Sequence, residues 1–311
     1  MGLLKVRSPR DILRFIKLYK LTRSWALSKF IFSNGHMKTV LKFSEKGEIN
    51  SSNGVWIAKF KSQAVLINLL RGDDFFILEE LEKFEESGWR IAFEENGNIL
   101  ITSPLRIFHI KSYGIVRAMG ESFIDYKDIN VQDKFVLDIG AFLGDTALYF
   151  LGRGAKGVLA LEPYEEFYKI ATNNLYQNIL NEEVKIFNVG IGNQVNQYDS
   201  NKNNSYNGRL LSFMDLKDQV EICNPENLPI FLKMDCEGCE YDVFRNPESI
   251  LEWRSLGINE FIMEYHKGNI FDLIENFRNA GYMVKKLLVK SDDIGIIYGV
   301  LDPKAKNFLE K

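Results

Sequence analysis

Two apolar, β-rich runs near the end of the chain, Met283–Val289 and Ile294–Leu301, are separated only by Lys290, Ser291, Asp292 and Asp293. A crossover between parallel strands needs a dozen or more residues, so these two runs must pair antiparallel. Upstream, from about residue 113, short apolar runs alternate with helical stretches. That alternation is the pattern of a parallel sheet with helices on both faces. Strands are expected at Phe135–Ile139, Val158–Leu161, Val184–Val189, Ile230–Met234 and Glu260–Glu264, and helices near 145–153, 164–178, 240–253 and 269–279. A dinucleotide-binding dehydrogenase would continue with crossovers where this chain closes with a hairpin.

The first third reads differently. Ser8 can cap a helix, Pro9 suits its first position and Asp11 completes a capping box. Ile12, Phe15, Ile16 and Tyr19 then share a face, while Arg14, Lys17, Lys20 and Arg23 keep the rest basic. Asn34-Gly35 ends this region, and residues 37–60, with Gly47 and Asn53-Gly54, suggest a small β meander. Residues 74–87 suggest a helix stopped by Gly88, and Ile99–Ile101 and Ile107–Ile110 suggest strands. A chain of 311 residues has room for two domains. We expect a smaller α+β domain over 1–112, an α/β domain over 113–302 and a tail over 303–311.

Charge is unevenly placed. Residues 1–42 hold ten basic residues and one acid, Asp11, so they carry +9; with a net charge of -3, the remainder carries -12. A basic arm on an acidic body is expected to dock on that body. The alternative is peripheral contact with an anionic membrane through residues 9–32. Nucleic acid is not expected, because overall charge is negative and Trp25, Phe30 and Phe32 read more simply as core or docking residues. No apolar run approaches the roughly 20 residues that cross a bilayer. Met1-Gly2-Leu3-Leu4-Lys5 lacks a small-residue cleavage site, and Val6 stands where myristoylation wants Ser or Thr. A cytoplasmic location is expected, with the inner membrane surface as its one membrane contact.

The chemistry gathers at strand ends. Val136-Leu137-Asp138-Ile139-Gly140-Ala141-Phe142-Leu143-Gly144-Asp145 is a buried strand running into a helix. Its two glycines permit a tight turn and close approach of a ligand to backbone. The spacing is G-x-x-x-G, not the G-x-G-x-x-G of pyrophosphate binders. Glu162 ends the next strand, and Pro163 stops it. A carboxylate there can accept from both hydroxyls of a ribose. Asp235, Glu237 and Glu240 crowd the end of an apolar strand, and Glu264-Tyr265-His266 ends another. Acids facing a ligand crevice favour chemistry over stability.

Together these pieces resemble the FkbM family of methyltransferases. The resemblance is carried by Asp138-Ile139-Gly140-Ala141 with Gly144-Asp145-Thr146, by Gly154-Ala155, by Glu162-Pro163, by Lys233-Met234-Asp235-Cys236-Glu237-Gly238-Cys239-Glu240 and by Glu264-Tyr265-His266, in order over residues 113–301. It implies a class I methyltransferase, a Rossmann-like α/β sheet that ends in an antiparallel hairpin. It further implies S-adenosyl-L-methionine as methyl donor and a hydroxyl of a sugar, glycan or natural product as acceptor. By position, Gly140, Ala141 and Gly144 would flank the methionine moiety beside Asp145, Asp138 would order the loop, Glu162 would hold the ribose, and Val189 would lie by the adenine. Asp235, Glu237 and His266 would face the acceptor. His266 is the better-matched base, since its ordinary pKa of about 6.5 lies near neutrality; Asp235 is the alternative. The competing reading is a non-catalytic nucleotide- or glycan-binding module that keeps the fold.

Other readings stay open. No metal is assigned, although Asp235, Glu237, Glu264 and His266 offer oxygen ligands and one imidazole that suit Mg or Mn. Three cysteines are too few for a disulfide scaffold, so reduced thiols are expected. Cys236-x-x-Cys239 reads as a redox pair or, with Cys223, as part of a zinc site only if a second pair exists, and none does. The asparagine-rich residues 193–209 read as a surface loop or as a lid over the acceptor.

Overall fold

Helix α1 (Pro9–Thr22) opens the N-terminal part as expected. Its apolar face is split: Phe15 and Leu18 are buried, whereas Ile12, Leu13, Ile16 and Tyr19 are exposed beside Arg10, Arg14, Lys17 and Lys20. Helix α2 (Met37–Phe43) replaces the start of the expected meander, because Val40 and Phe43 recur at helical spacing and are both buried. There follow β1 (Glu48–Ser52), β2 (Val55–Phe60), β3 (Gln63–Ile67), helix α3 (Ile77–Glu86), β4 (Arg90–Phe93), β5 (Ile99–Thr102) and β6 (Ile107–Ile110). They form one sheet in chain order. Its neighbours are antiparallel except β3 and β4, which α3 joins by a crossover.

The computed structural model describes residues 9–22, 28–29, 31–32, 37–45, 48–52, 55–60, 63–67, 77–93, 98–111, 114–192 and 209–304. Ser8, most of the asparagine-rich segment and its expected lid lie outside these residues. The chain forms two compact units, Met1–Ile124 and Asp125–Lys311. Helix α4 (Gly114–Asp125) belongs to the first unit as far as Ile124. The reason is packing: Phe123 stands edge-on to Phe84 and Trp89 at 4.7 and 5.3 Å, and Gly120 lies so close to Glu80 that a Cβ would overlap its carboxylate.

In the second unit β7 (Phe135–Ile139) leads through helix α5 (Asp145–Gly152) to β8 (Gly157–Leu161). Helices α6 (Glu165–Asn174) and α7 (Tyr176–Leu180) lead to β9 (Val184–Phe187) and the short β10 (Gly190–Ile191). After β11 (Leu210–Leu211), helix α8 (Phe213–Cys223) starts at Ser212, whose hydroxyl accepts from the Asp215 N–H, and precedes β12 (Ile230–Met234). Helices α9 (Glu240–Val243) and α10 (Pro247–Arg254), β13 (Ile258–His266), α11 (Ile270–Asn279), β14 (Tyr282–Val289) and β15 (Ile294–Leu301) complete it. The expected helix over 240–253 is broken at Asn246, which caps α10 through a capping box with Ser249 ahead of Pro247.

The seven-stranded sheet has the order β14-β15-β13-β12-β7-β8-β9. Only β15 runs against its neighbours, inserted between β14 and β13. This is the strand order of the class I methyltransferase fold. The central strands β7 and β12 are buried throughout, as strands covered on both faces must be. The edge strand β14 is largely exposed and carries Lys285 and Lys286, which discourage edge-to-edge pairing. Among the described residues no helix is long and apolar enough to cross a membrane.

Candidate active site

Strand order reverses between β7 and β12. The chain leaves β7 toward β8 on one side and enters β12 from β9 on the other. Open α/β sheets hold ligands at that switch, beyond the carboxyl ends of the strands. Gly140 turns there with φ +81. Its N–H and that of Ala141 both donate to the Leu161 carbonyl at 3.0 Å, and the Asp235 N–H donates to the Ile139 carbonyl at 2.9 Å. The strand ends are thereby drawn so close that a Cβ on Gly140 would overlap the Asp235 carbonyl oxygen. Gly144, with φ +80, makes the second turn, and Asp145 opens α5, buried.

A buried ion pair holds this turn. Asp138 and Lys233 are register partners on β7 and β12, and both are fully enclosed. Lys233 Nζ lies 3.1 Å from Asp138 Oδ1, off the hydrogen-bonding direction, and donates to the Gly140 carbonyl at 2.6 Å. The Thr146 hydroxyl donates to Asp138 Oδ2 at 2.5 Å. Burial works against the charge on Lys233, but Asp138, Asp235 and Asp145 outweigh it and raise its pKa. Sequence reasoning gave Lys233 no role of its own. Its signal was a lone lysine inside the apolar run Ile230–Met234, where only a paired charge is tolerated.

Glu162 closes the near side of the crevice. One carboxylate oxygen accepts the Phe142 N–H at 2.8 Å and the other accepts the Tyr164 N–H at 2.9 Å. The side chain is buried, and burial, only partly offset by those two N–H groups, pushes its pKa up to about 7. Val189, half-buried, packs against the core beyond β9.

The far side is acidic. Glu264 and His266 alternate on β13 and so project from one face. His266 Nε2 lies 3.6 Å from Glu264 Oε1 and 3.7 Å from Asp235 Oδ1. Its Nδ1 lies 3.3 Å from Oε1 of Glu240, a fully buried carboxylate that also accepts the His266 and Gly238 backbone N–H groups. Burial disfavours a charged ring, but the bonds to Glu240 and Glu264 and the charge of Asp235 win and push His266 up to about 10. Asp235 is raised to about 6, first by burial and then by the Glu264 and Glu237 charges, against Lys233 and His266. Lys290, in the hairpin turn, donates to Glu264 Oε2 at 2.7 Å and to Asp125 Oδ2 at 2.8 Å.

The structure therefore brings Asp235 and His266 together but leaves Glu237 exposed, on a left-handed turn (φ +58) that continues through Gly238. Cys236 and Cys239 are joined by a disulfide across that turn, with Cα atoms 5.5 Å apart. This corrects the expectation of reduced thiols for the pair and removes it as a zinc ligand set; Cys223 stays free.

No family model and no curated protein matches the chain. Among solved structures, an O-methyltransferase from Bacillus cereus in complex with S-adenosylhomocysteine is 15% identical, covering 61% of this chain and 89% of its own, with a TM-score of 0.37. Aeropyrum pernix fibrillarin with natively bound S-adenosylmethionine is 10% identical over 81% of this chain and 98% of its own, with a TM-score of 0.40. A methyltransferase from Aquifex aeolicus is 12% identical over 61% and 97%, with a TM-score of 0.37. Overlaps this low carry no function, and the strand order itself defines the fold.

Proposed function

We propose that this protein is an S-adenosylmethionine-dependent methyltransferase of FkbM type that methylates a hydroxyl oxygen of a sugar, glycan or natural product. Fold alone does not support such a reading, because function lives in the site. The observation that carries it is Glu162, a buried carboxylate fastened by two loop N–H groups beside the glycine turn, with an acidic cluster facing it from the ends of β12 and β13. The residues fit the donor. Each Glu162 oxygen spends one lone pair on a backbone N–H and keeps another for a ribose hydroxyl. The backbone of Gly140 and Ala141 borders the same crevice, with Gly144 and Asp145 just behind it.

When bound, S-adenosylmethionine supplies a methyl group on a sulfonium that is already electrophilic. The chain must then align an acceptor oxygen and exclude water. Asp138 contributes indirectly, through Lys233 and Thr146, by holding the turn in shape. Asp235 keeps a third of its side chain open to the crevice and is the group placed to take the hydroxyl proton. His266 sits among Glu240, Glu264 and Asp235, where it holds positive charge more readily than it accepts a proton. On this reading Asp235 is the base, the alternative to His266 that the sequence offers, and His266 orients it.

Calorimetric titration with S-adenosylhomocysteine tests the donor. Wild type should bind, and Glu162→Ala should lose that binding. Well-folded wild type that takes up no heat at any ligand concentration would sink the reading. With the donor established, transfer of a radiolabelled methyl to glycan hydroxyls tests the acceptor.

A further inference from the structure

We propose that Cys236 and Cys239 form a thiol–disulfide exchange site, reduced by a dithiol, whose oxidation state sets the shape of the acceptor side of the crevice. The two sulfurs are bonded across a tight turn, with Cα atoms 5.5 Å apart and a sequence separation of 3. Asp235 immediately precedes Cys236, and Glu240 immediately follows Cys239. The disulfide therefore spans the interval between the group placed to take the acceptor proton and the carboxylate that holds His266. Control of the acceptor rests on the proposed methyl transfer; the exchange itself does not.

Stability alone is a poor account of this bridge, because a disulfide stabilises less as the loop it closes shortens, and this loop is very short. What the bridge fixes is a conformation. Glu237 and Gly238 both lie in the left-handed region, with φ +58 and +117, which the side chain of Glu237 disfavours. Glu237 is exposed, and among the described residues nothing lies within 4 Å of a Cβ placed on Gly238. The turn can therefore change shape without displacing a neighbour once the bridge opens. Glu240 registers that change. Its Oε1 accepts the His266 N–H at 2.6 Å, and its Oε2 accepts the Gly238 N–H at 3.0 Å and stands 3.3 Å from Cys236 Sγ. In the disulfide that sulfur carries no hydrogen. Reduction gives it an S–H, which can donate to the oxygen that Gly238 uses.

Access is one-sided. Cys236 is half-buried and Cys239 is buried, so an incoming thiolate attacks the Cys236 sulfur. The S–S bond breaks, Cys239 leaves as a thiolate and takes a proton, and a mixed disulfide forms at Cys236. The reductant's second thiolate attacks its own sulfur in that mixed disulfide, and Cys236 leaves and is protonated. Two electrons pass from the dithiol, which ends as a disulfide, to the protein, which ends with two more thiols.

The test uses the full chain without donor or acceptor. The folded protein is incubated with reduced or oxidised dithiothreitol, quenched in acid and labelled with maleimide in denaturant. The oxidised chain should label once, at Cys223, and the reduced chain at all three cysteines. A bridge that stays closed in the folded chain under excess dithiothreitol overturns the proposal, as does a reduced pair that oxidised dithiothreitol fails to close. Ring resonances of the three histidines read the crevice. Reduction should shift His266, assigned with His266→Gln, and leave His36 and His109 in place. A His266 signal that ignores reduction overturns the coupling. Cys223→Ser should keep the whole response, and its loss in that variant overturns the assignment to the pair. S-adenosylhomocysteine binding by the oxidised chain tests the donor reading separately, so either reading can fail alone.

Discussion

Glu162 makes donor binding a titration. Burial lifts its carboxyl from the ordinary 4.5 to about 7. A carboxyl raised in the folded state favours the protonated form, so its contribution to stability is greatest below pH 4.5 and is lost as pH rises through 7. Ribose hydroxyls donate to the carboxylate, so the donor should select the ionised form. With a pKa near 7, about a tenth of the groups are ionised at pH 6 and about nine tenths at pH 8. Affinity for S-adenosylhomocysteine should therefore rise about tenfold across that interval, with a proton released on binding. Glu162→Gln has no charge to titrate. It should flatten the dependence and, at pH 8, lose about 1.5–3 kcal/mol for each charged hydrogen bond weakened, about 10–100-fold. Calorimetry from pH 6 to 8, in two buffers of different ionisation heat, measures both affinity and proton release. An affinity independent of pH in wild type, or a tenfold rise that survives in Glu162→Gln, would refute the assignment.

Three more perturbations follow from the geometry. Lys233→Met leaves Asp138 charged and buried with only Thr146 as partner, so urea denaturation should show a loss of about 3–5 kcal/mol. Adding Asp138→Asn should recover most of it; a single-variant loss below about 1 kcal/mol would mean the pair does not hold the turn. Gly140→Ala places a Cβ into the Asp235 carbonyl at a left-handed position, so it should cost about 2 kcal/mol or more and abolish S-adenosylhomocysteine binding. Finally, the exposed Ile12, Leu13, Ile16 and Tyr19 beside Arg10, Lys17 and Lys20 make vesicle pelleting the assay that separates the two readings of α1: docking on the acidic body predicts no pelleting with anionic vesicles in low salt, and membrane contact predicts pelleting. Any pelleting through α1 should fall in Ile12→Ser/Ile16→Ser, and equal pelleting of the double variant would remove α1 as the contact.

Much of the fold was legible in one dimension because its rules are local. The four residues between the last two strands allow no crossover, and the alternation of β-rich and helical stretches allows few sheets. Helix breaks were legible only in part. Asn246-Pro247 marks one, whereas α6 and α7 part at Leu175 without a Gly or Pro. The helix Met37–Phe43 is not legible as a helix, because a window that short carries both periods.

By itself the sequence determined the strand–turn–helix at Gly140, the acid at the end of β8 and the acids of β12 and β13, since each follows from neighbours along the chain. Tertiary structure alone decided what those groups do to one another. It paired Lys233 with Asp138 through strand register, swung Glu237 to the surface and closed the Cys236–Cys239 turn. It also set His266 among three carboxylates, two of them from other segments. A pKa, an ion pair and a ligand set depend on distance and burial in three dimensions, and spacing along the chain encodes neither.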